Sequence, residues 1–211
     1  SNAGNLTIND ANALGMVCID TLEDLSTGGD ITVNGAINGN DISFLAIAGG
    51  TPGNNAGNIN INAAITGAGV NNIIDLGADG DIAINSGGTL DAETVFLFAG
   101  KGITTAATIT TNNLVANAQN NISIGANVTG NGTQPTLMFT AGGSFTNLAG
   151  AAIEANSIYI DANSVSLNDT VTGVGPSNLV TVISDLTINA VDVAQISAQT
   201  LNLTSSAGDI G

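Results

Sequence analysis

Histidine, arginine and tryptophan are absent from this chain, and Lys101 is its only lysine. Without histidine, the commonest general base and a frequent transition-metal ligand are missing together. One lysine stands against 17 carboxylates, for a formal charge of −16. That balance excludes a counterion-releasing grip on nucleic acid and makes anionic membrane surfaces poor partners. Cys18 is alone, so no internal disulfide forms. No histidine is present to activate its thiol, and it reads as a small strand residue. No apolar run approaches the roughly 20 residues of a bilayer span, and neither a signal peptide nor a lipidation motif is legible. The opening Ser1-Asn2-Ala3 has the look of a tag-cleavage scar and is left out of the fold argument, which covers 4–211 as one domain.

Aromatics make up only 3% of the chain, too few for an ordinary globular core, yet 43% of it is hydrophobic, chiefly Ala, Val, Ile and Leu. Small branched side chains suit a narrow interior in which each layer repeats the last. A phrase recurs that would build such layers: Gly29-Asp30-Ile31-Thr32-Val33-Asn34, Gly57-Asn58-Ile59-Asn60-Ile61-Asn62 and Gly80-Asp81-Ile82-Ala83-Ile84-Asn85. Gly4–Asn9, Asn163–Asn168 and Ser184–Asn189 are further copies, with weaker ones near Ile103, Ile122, Phe145 and Ile210. Numbered by its first apolar residue, the phrase falls at 6, 31, 59, 82, 103, 122, 145, 165, 186 and 210. Such periods mark a solenoid.

Each period divides into three alternating segments, as in Ile103-Thr105, Ala107-Ile109 and Leu114-Ala116-Ala118. The expectation is an all-β, right-handed parallel β-helix of about nine coils with three parallel sheets, roughly 43 Å long at ~4.8 Å per strand. Irregular period lengths favour the right-handed form over the left-handed one with its strict hexapeptide rhythm. Met16–Asp20 reads as a strand. Pro52, Pro135 and Pro176 lie in insertions between strand segments, where no ladder donor is needed. The last two insertions emerge on one side. A surface of Asn, Thr, Ser and Gly is typical of extracellular β-solenoids. Because Gly208-Asp209-Ile210-Gly211 starts another coil, the chain is expected to be part of a longer solenoid.

Asn9, Asn34, Asn62, Asn85, Asn168 and Asn189 close the phrase at one corner and are expected to stack as an amide ladder. Asp30, Asn58 and Asp81 share another ladder position, the asparagine separating two like charges. Aligning third strands on Ala48, Ala99 and Ala141 sends Phe44, Val95 and Leu137 inward. It leaves Leu45, Ile47, Phe96, Phe98 and Met138 as an outward apolar strip broken by Asp75, a candidate interaction surface. Asp75, Asp79 and Asp81, around a Gly-rich turn, form a candidate calcium set; no other cofactor is expected. Enzymes on this architecture typically cleave acidic polysaccharides with cationic groups, which are missing here, so no catalytic residues are assigned. The pairs Asp79/Asp81 and Asp91/Glu93 leave only a carboxylate-based hydrolase to consider. The threonines around Thr104–Thr111 do not recur from coil to coil, which argues against an ice-binding array. Six Asn-x-Ser/Thr sequons follow from composition.

The repeated Gly-[Asn/Asp]-[Ile/Leu]-x-[Ile/Val]-Asn phrase, with the turns Ala48-Gly49-Gly50 and Ala141-Gly142-Gly143, resembles the β-helical repeats of filamentous-haemagglutinin-type adhesins. The resemblance is at the level of the repeat and runs through the chain after the scar. It implies a non-catalytic, structural and adhesive stalk of a bacterial exoprotein, exported by a two-partner or autotransporter route and exposed outside the cell. Its partners would be a host-cell or matrix glycan or protein receptor and neighbouring coils of the parent chain, with no nucleic acid and no membrane insertion. A polysaccharide-binding or polysaccharide-cleaving module and a calcium-stabilised surface-layer element are the alternatives.

Overall fold

The computed structural model describes residues 5–21, 29–47, 57–191 and 194–211. Ser1-Asn2-Ala3, Pro52 and the Ala48-Gly49-Gly50 stretch lie outside these residues. Within them every regular element is a strand, all pairing is parallel, and each winding packs on the next as a β-solenoid. No helix among the described residues is long and apolar enough to cross a membrane.

Three faces repeat. The first is built from Leu6–Ile8, Ile31–Val33, Ile59–Ile61, Ile82–Ile84, Ile103–Thr105 and Ile122–Ile124, then the ends of Thr136–Asn147 and Ser157–Leu167, then Ile188–Ala190. These nine segments are separated by eight steps. The second face holds short strands such as Ile37–Gly39, Ile65–Gly67 and Val128–Gly130, and the third holds longer ones such as Asp41–Ala46 and Ile73–Ala78. Where the corner between second and third faces is tight, both belong to one continuous strand, Leu90–Ala99 or Ile109–Ala118. Thr111 sits buried at that bend, its Oγ1 donating to the Glu93 and Asn113 carbonyls at 3.1 and 3.0 Å. Met16–Asp20 is the third-face strand of the first winding and pairs with Asp41–Ala46.

Alternation within each strand sends one set of side chains inward, and stacking turns that set into columns. Ile31, Ile59, Ile82, Ile103, Ile122, Phe145, Val165 and Ile188 lie one above another, all buried. Leu186 is corrected by this register. Ile188, 2% exposed, stands over Val165, while Leu186 turns outward at 54% exposure. The phrase at Ser184–Asn189 is therefore two residues out of column, and its first apolar residue falls before the strand Ile188–Ala190, outside the core. On the third face, Ala46, Ala78, Ala99, Ala118, Ala141 and Ala162 make a column of small side chains beside the corner.

Two ladders of side chains accompany the columns. Ahead of the first face, a side-chain oxygen of each winding accepts the backbone N–H of the next. Asn5 serves Asp30 at 3.1 Å, Asp30 serves Asn58 at 2.8 Å, Asn58 serves Asp81 at 2.8 Å and Asp81 serves Gly102 at 2.9 Å. Corner donors that would otherwise be unpaired are satisfied this way. After the first face, the Asn62 amide donates to Asn34 at 2.8 Å and the Asn85 amide to Asn62 at 2.7 Å. Beyond Asn85 the equivalent corner residues are Ala106, Gly125 and Leu148, so the run of amides stops. Asn168 returns to that position but bonds instead to Asn147, a buried asparagine of the inner column. Asn189 is not a rung: it pairs with Ser166 at mid-strand, another consequence of the two-residue shift.

Asn62→Ala cuts both links of the Asn34–Asn62–Asn85 run at once. Each is an exposed bond, so the expected loss is about 1 kcal/mol, read as a lower urea midpoint with unchanged slope.

Candidate functional site

Three surfaces carry chemistry beyond the fold. The first is the corner between second and third faces, where three windings bear the same loop. Thr66-Gly67-Ala68-Gly69-Val70-Asn71-Asn72, Thr129-Gly130-Asn131-Gly132-Thr133-Gln134-Pro135 and Thr172-Gly173-Val174-Gly175-Pro176-Ser177-Asn178 share Thr-Gly-x-Gly at their start. The second glycine of each has positive φ: 102° at Gly69, 98° at Gly132 and 85° at Gly175. A side chain there would be strained. Asn72 and Asn178 close their loops identically, donating to the Gly69 and Gly175 carbonyls at 2.7 Å and accepting the next winding's N–H, from Glu93 at 2.7 Å and Gln199 at 2.6 Å. Glu93 and Gln199 answer in kind, their side-chain oxygens accepting the N–H of Asn71 and Ser177 at 2.8 and 2.9 Å.

The loops at 67–72 and 130–135 flank two compact windings that have none. Between them lies an open notch of about 390 Å3 lined by Asn72, Asp91, Glu93, Asn112, Asn131 and Gly132. The buried Asn112 Oδ1 at its side has no hydrogen-bond partner. Carboxylates and amides without an aromatic platform suit a ligand rich in hydroxyl donors. The two proline insertions expected on one side do emerge at this corner; the recurring Thr-Gly-x-Gly, which also marks the loop at 67–72, is the sequence signal common to all three loops.

The second surface is the outer side of the third face. Phe44, Val95 and Leu137 are fully buried, so Leu45, Ile47, Phe96, Phe98 and Met138 point outward. Their columns differ from the alignment on Ala48: Ala46 is the residue in line with Ala78 and Ala99. One outward column consequently runs Ser43, Asp75, Phe96, Val115, Met138, Tyr159. Its neighbour runs Leu45, Gly77, Phe98, Asn117, Thr140, Asp161. Val115 and Tyr159 extend the strip and were missed, because neither winding was aligned on the face. The rings of Phe96 and Phe98 stack with centroids 6.1 Å apart and planes 13° from parallel. Tyr159 Oη donates to Asp161 at 3.1 Å, and burial, then this bond and the nearby charge, raise the tyrosine's pKa.

The third is the acidic set Asp75, Asp79 and Asp81. Strand alternation places Asp75 and Asp79 on the outer side of the third face with Gly77 between them, whereas Asp81 lies past the corner and accepts the Gly102 N–H. Among the described residues no three carboxylates, cysteines or histidines are grouped as a metal site. Removal of divalent cations with EDTA is expected to leave the melting temperature unchanged; a fall would restore the calcium set.

Asp75 is partly buried, and burial alone raises its carboxyl pKa. A raised carboxyl pKa in the folded state means the native chain favours the protonated form, so this residue costs stability above its folded pKa and the cost disappears as pH falls through that value and on to the unfolded one. Asp75→Asn is therefore expected to raise the melting temperature at pH 7 and to alter it far less at about pH 3, below the ordinary aspartate value. Asp169 has the opposite sign. Backbone N–H donors of Thr170 and Gly150, at 2.6 Å each, lower its pKa, a contribution present at neutral pH and lost in acid.

Comparison with protein-family models, with curated proteins and with solved structures returned no match.

Proposed function

We infer that this chain is a non-catalytic, structural and adhesive segment of a secreted or surface-exposed bacterial exoprotein, of the kind its repeats resemble in filamentous-haemagglutinin-type stalks. The supporting observation is that most residues of the recurrent phrase serve stacking: its apolar positions fill the buried columns, and its Asn and Asp positions supply the corner ladders. What varies from winding to winding is whether the corner carries a loop, and which side chains stand on the outer strip; such a rod holds both at fixed spacing for attachment. The acidic, Asn- and Thr-rich surface fits an extracellular setting.

Latex beads coated with the chain are expected to adhere to host cells, to a matrix protein or to spots of a glycan array, against beads coated with an unrelated acidic protein. Failure on all three, or release of reducing ends from neutral glycans, overturns the reading. The corner notch with Asp91 and Glu93 favours a polysaccharide-binding module as the second reading; binding confined to glycans and abolished by Asp91→Asn would select it.

A further inference from the structure

The two-residue correction of the third face places a glycine where two large side chains would otherwise be bridged. Gly77 lies between Leu45 of the preceding winding and Phe98 of the following one. The space above it is a pocket of about 300 Å3, walled by Leu45, Ile47 and Phe98 and bordered by Asp75 and Asp79. Phe98 is 44% exposed, and its stacked partner Phe96 is in register with Asp75.

We propose that this pocket seats an arginine or lysine side chain carried by a basic segment of a different protein. Its walls match the two parts of such a side chain: the aliphatic stem lies against Leu45 and Ile47, and the cation meets a carboxylate and an aromatic face. Asp75 supplies the charge. It is partly buried beside aromatic rings, with desolvation as the cause of its raised pKa, and a bound cation would offset that cost. Asp79 is already engaged within the chain and is only a border. A second copy of this chain is a poor occupant, since each carries a formal charge of −16 and offers Lys101 as its single basic side chain. The size suits one long side chain, not a folded surface.

The proposal deepens the attachment reading and rests on it for its biological sense. Its test is a titration of the 15N-labelled chain with the blocked tripeptides Leu-Arg-Leu, Leu-Gln-Leu and Leu-Glu-Leu. The arginine peptide is expected to shift the amides of residues 74–79 and 96–99, and the other two are not. Asp75→Asn weakens that binding at least about tenfold, as loss of a charge-assisted contact predicts. Gly77→Val fills the seat and abolishes binding; the β-carbon meets the flexible tip of the Leu45 side chain and no backbone atom. If Gly77→Val fails to fold, Asp75→Asn decides. Asp91→Asn, at the corner notch, leaves binding intact. Equal shifts with all three peptides overturn the proposal, as does equal weakening by Asp91→Asn and Asp75→Asn, or self-association that Gly77→Val dissolves. Bead adhesion without peptide binding removes the seat alone; peptide binding without adhesion removes the attachment reading alone.

Discussion

Phe139→Ala lowers the unfolding free energy by about 3–5 kcal/mol, the range for deleting a fully buried aromatic ring. The inner column here runs Leu97, Ala116, Phe139, Ile160, so the ring lies next to the smallest member of its stack and fills the room that Ala116 leaves. Truncation would place two alanines in succession and open a void between windings. Phe139 also packs on Phe145 of the first face, centroids 5.2 Å apart and planes at 56°, a tilted pair contributing about 0.5–1.5 kcal/mol beyond area burial. Because each winding contacts only its neighbours, the defect falls across the middle of the rod, where it weakens the coupling between its two halves. Urea unfolding followed by circular dichroism measures it. The control is Phe98→Ala on the exposed strip, expected to cost less than about 1 kcal/mol. Equal losses for the two rings would contradict the inward column.

Gly142→Val is expected to be comparably damaging for a different reason. A β-carbon at Gly142 would fall within contact distance of the Gln119 carbonyl oxygen of the winding beside it, a backbone atom that cannot swing away. The neighbouring windings would have to part. That movement strains the Gly143 N–H bond to the Asn120 carbonyl at 2.6 Å and the Asn163 amide bond to the Gly142 carbonyl at 2.6 Å. A loss above about 3 kcal/mol follows from strain combined with broken pairing. Gly15→Ala is the matched control, since a β-carbon there meets nothing within 4 Å. Its melting temperature is expected to stay near that of the parent chain, and a large fall for Gly15→Ala with none for Gly142→Val would refute the close approach. The same crowding explains the Ala141-Gly142-Gly143 turn: Gly100 and Gly142 alternate along this corner with Asp79, Gln119 and Asn163, so a glycine lies next to each larger residue.

The inner and outer sides of every strand were legible because side chains alternate with a period of two. Phe44 is inside and Leu45 outside whether the third strand is aligned on Ala46 or on Ala48. For that reason the apolar strip was assigned to the correct side even though Leu45 was placed in the wrong column. Parity fails only past a corner: Leu186 shares it with Ile188 but precedes the strand and turns outward. What alternation leaves open is translation by two residues, which preserves parity while moving a side chain one column along the face. The ladder was affected in the same way. Asn34, Asn62 and Asn85 follow phrases of identical length and stack; Asn189 follows a phrase that looks the same but enters its winding two residues late.

From its amino acids alone this protein's all-β solenoid, its three faces and its repeating interior could be deduced, because a period of about 20–25 residues with small branched side chains has few other ways to bury its apolar surface. Which residues stand directly above one another was decided only in three dimensions. Corners of unequal length shift where each strand begins, and close packing and hydrogen bonding between windings, not local alternation, select the column. Gly77 came to lie between Leu45 and Phe98 by that selection, and Asp81 was drawn to a backbone N–H away from Asp75 and Asp79.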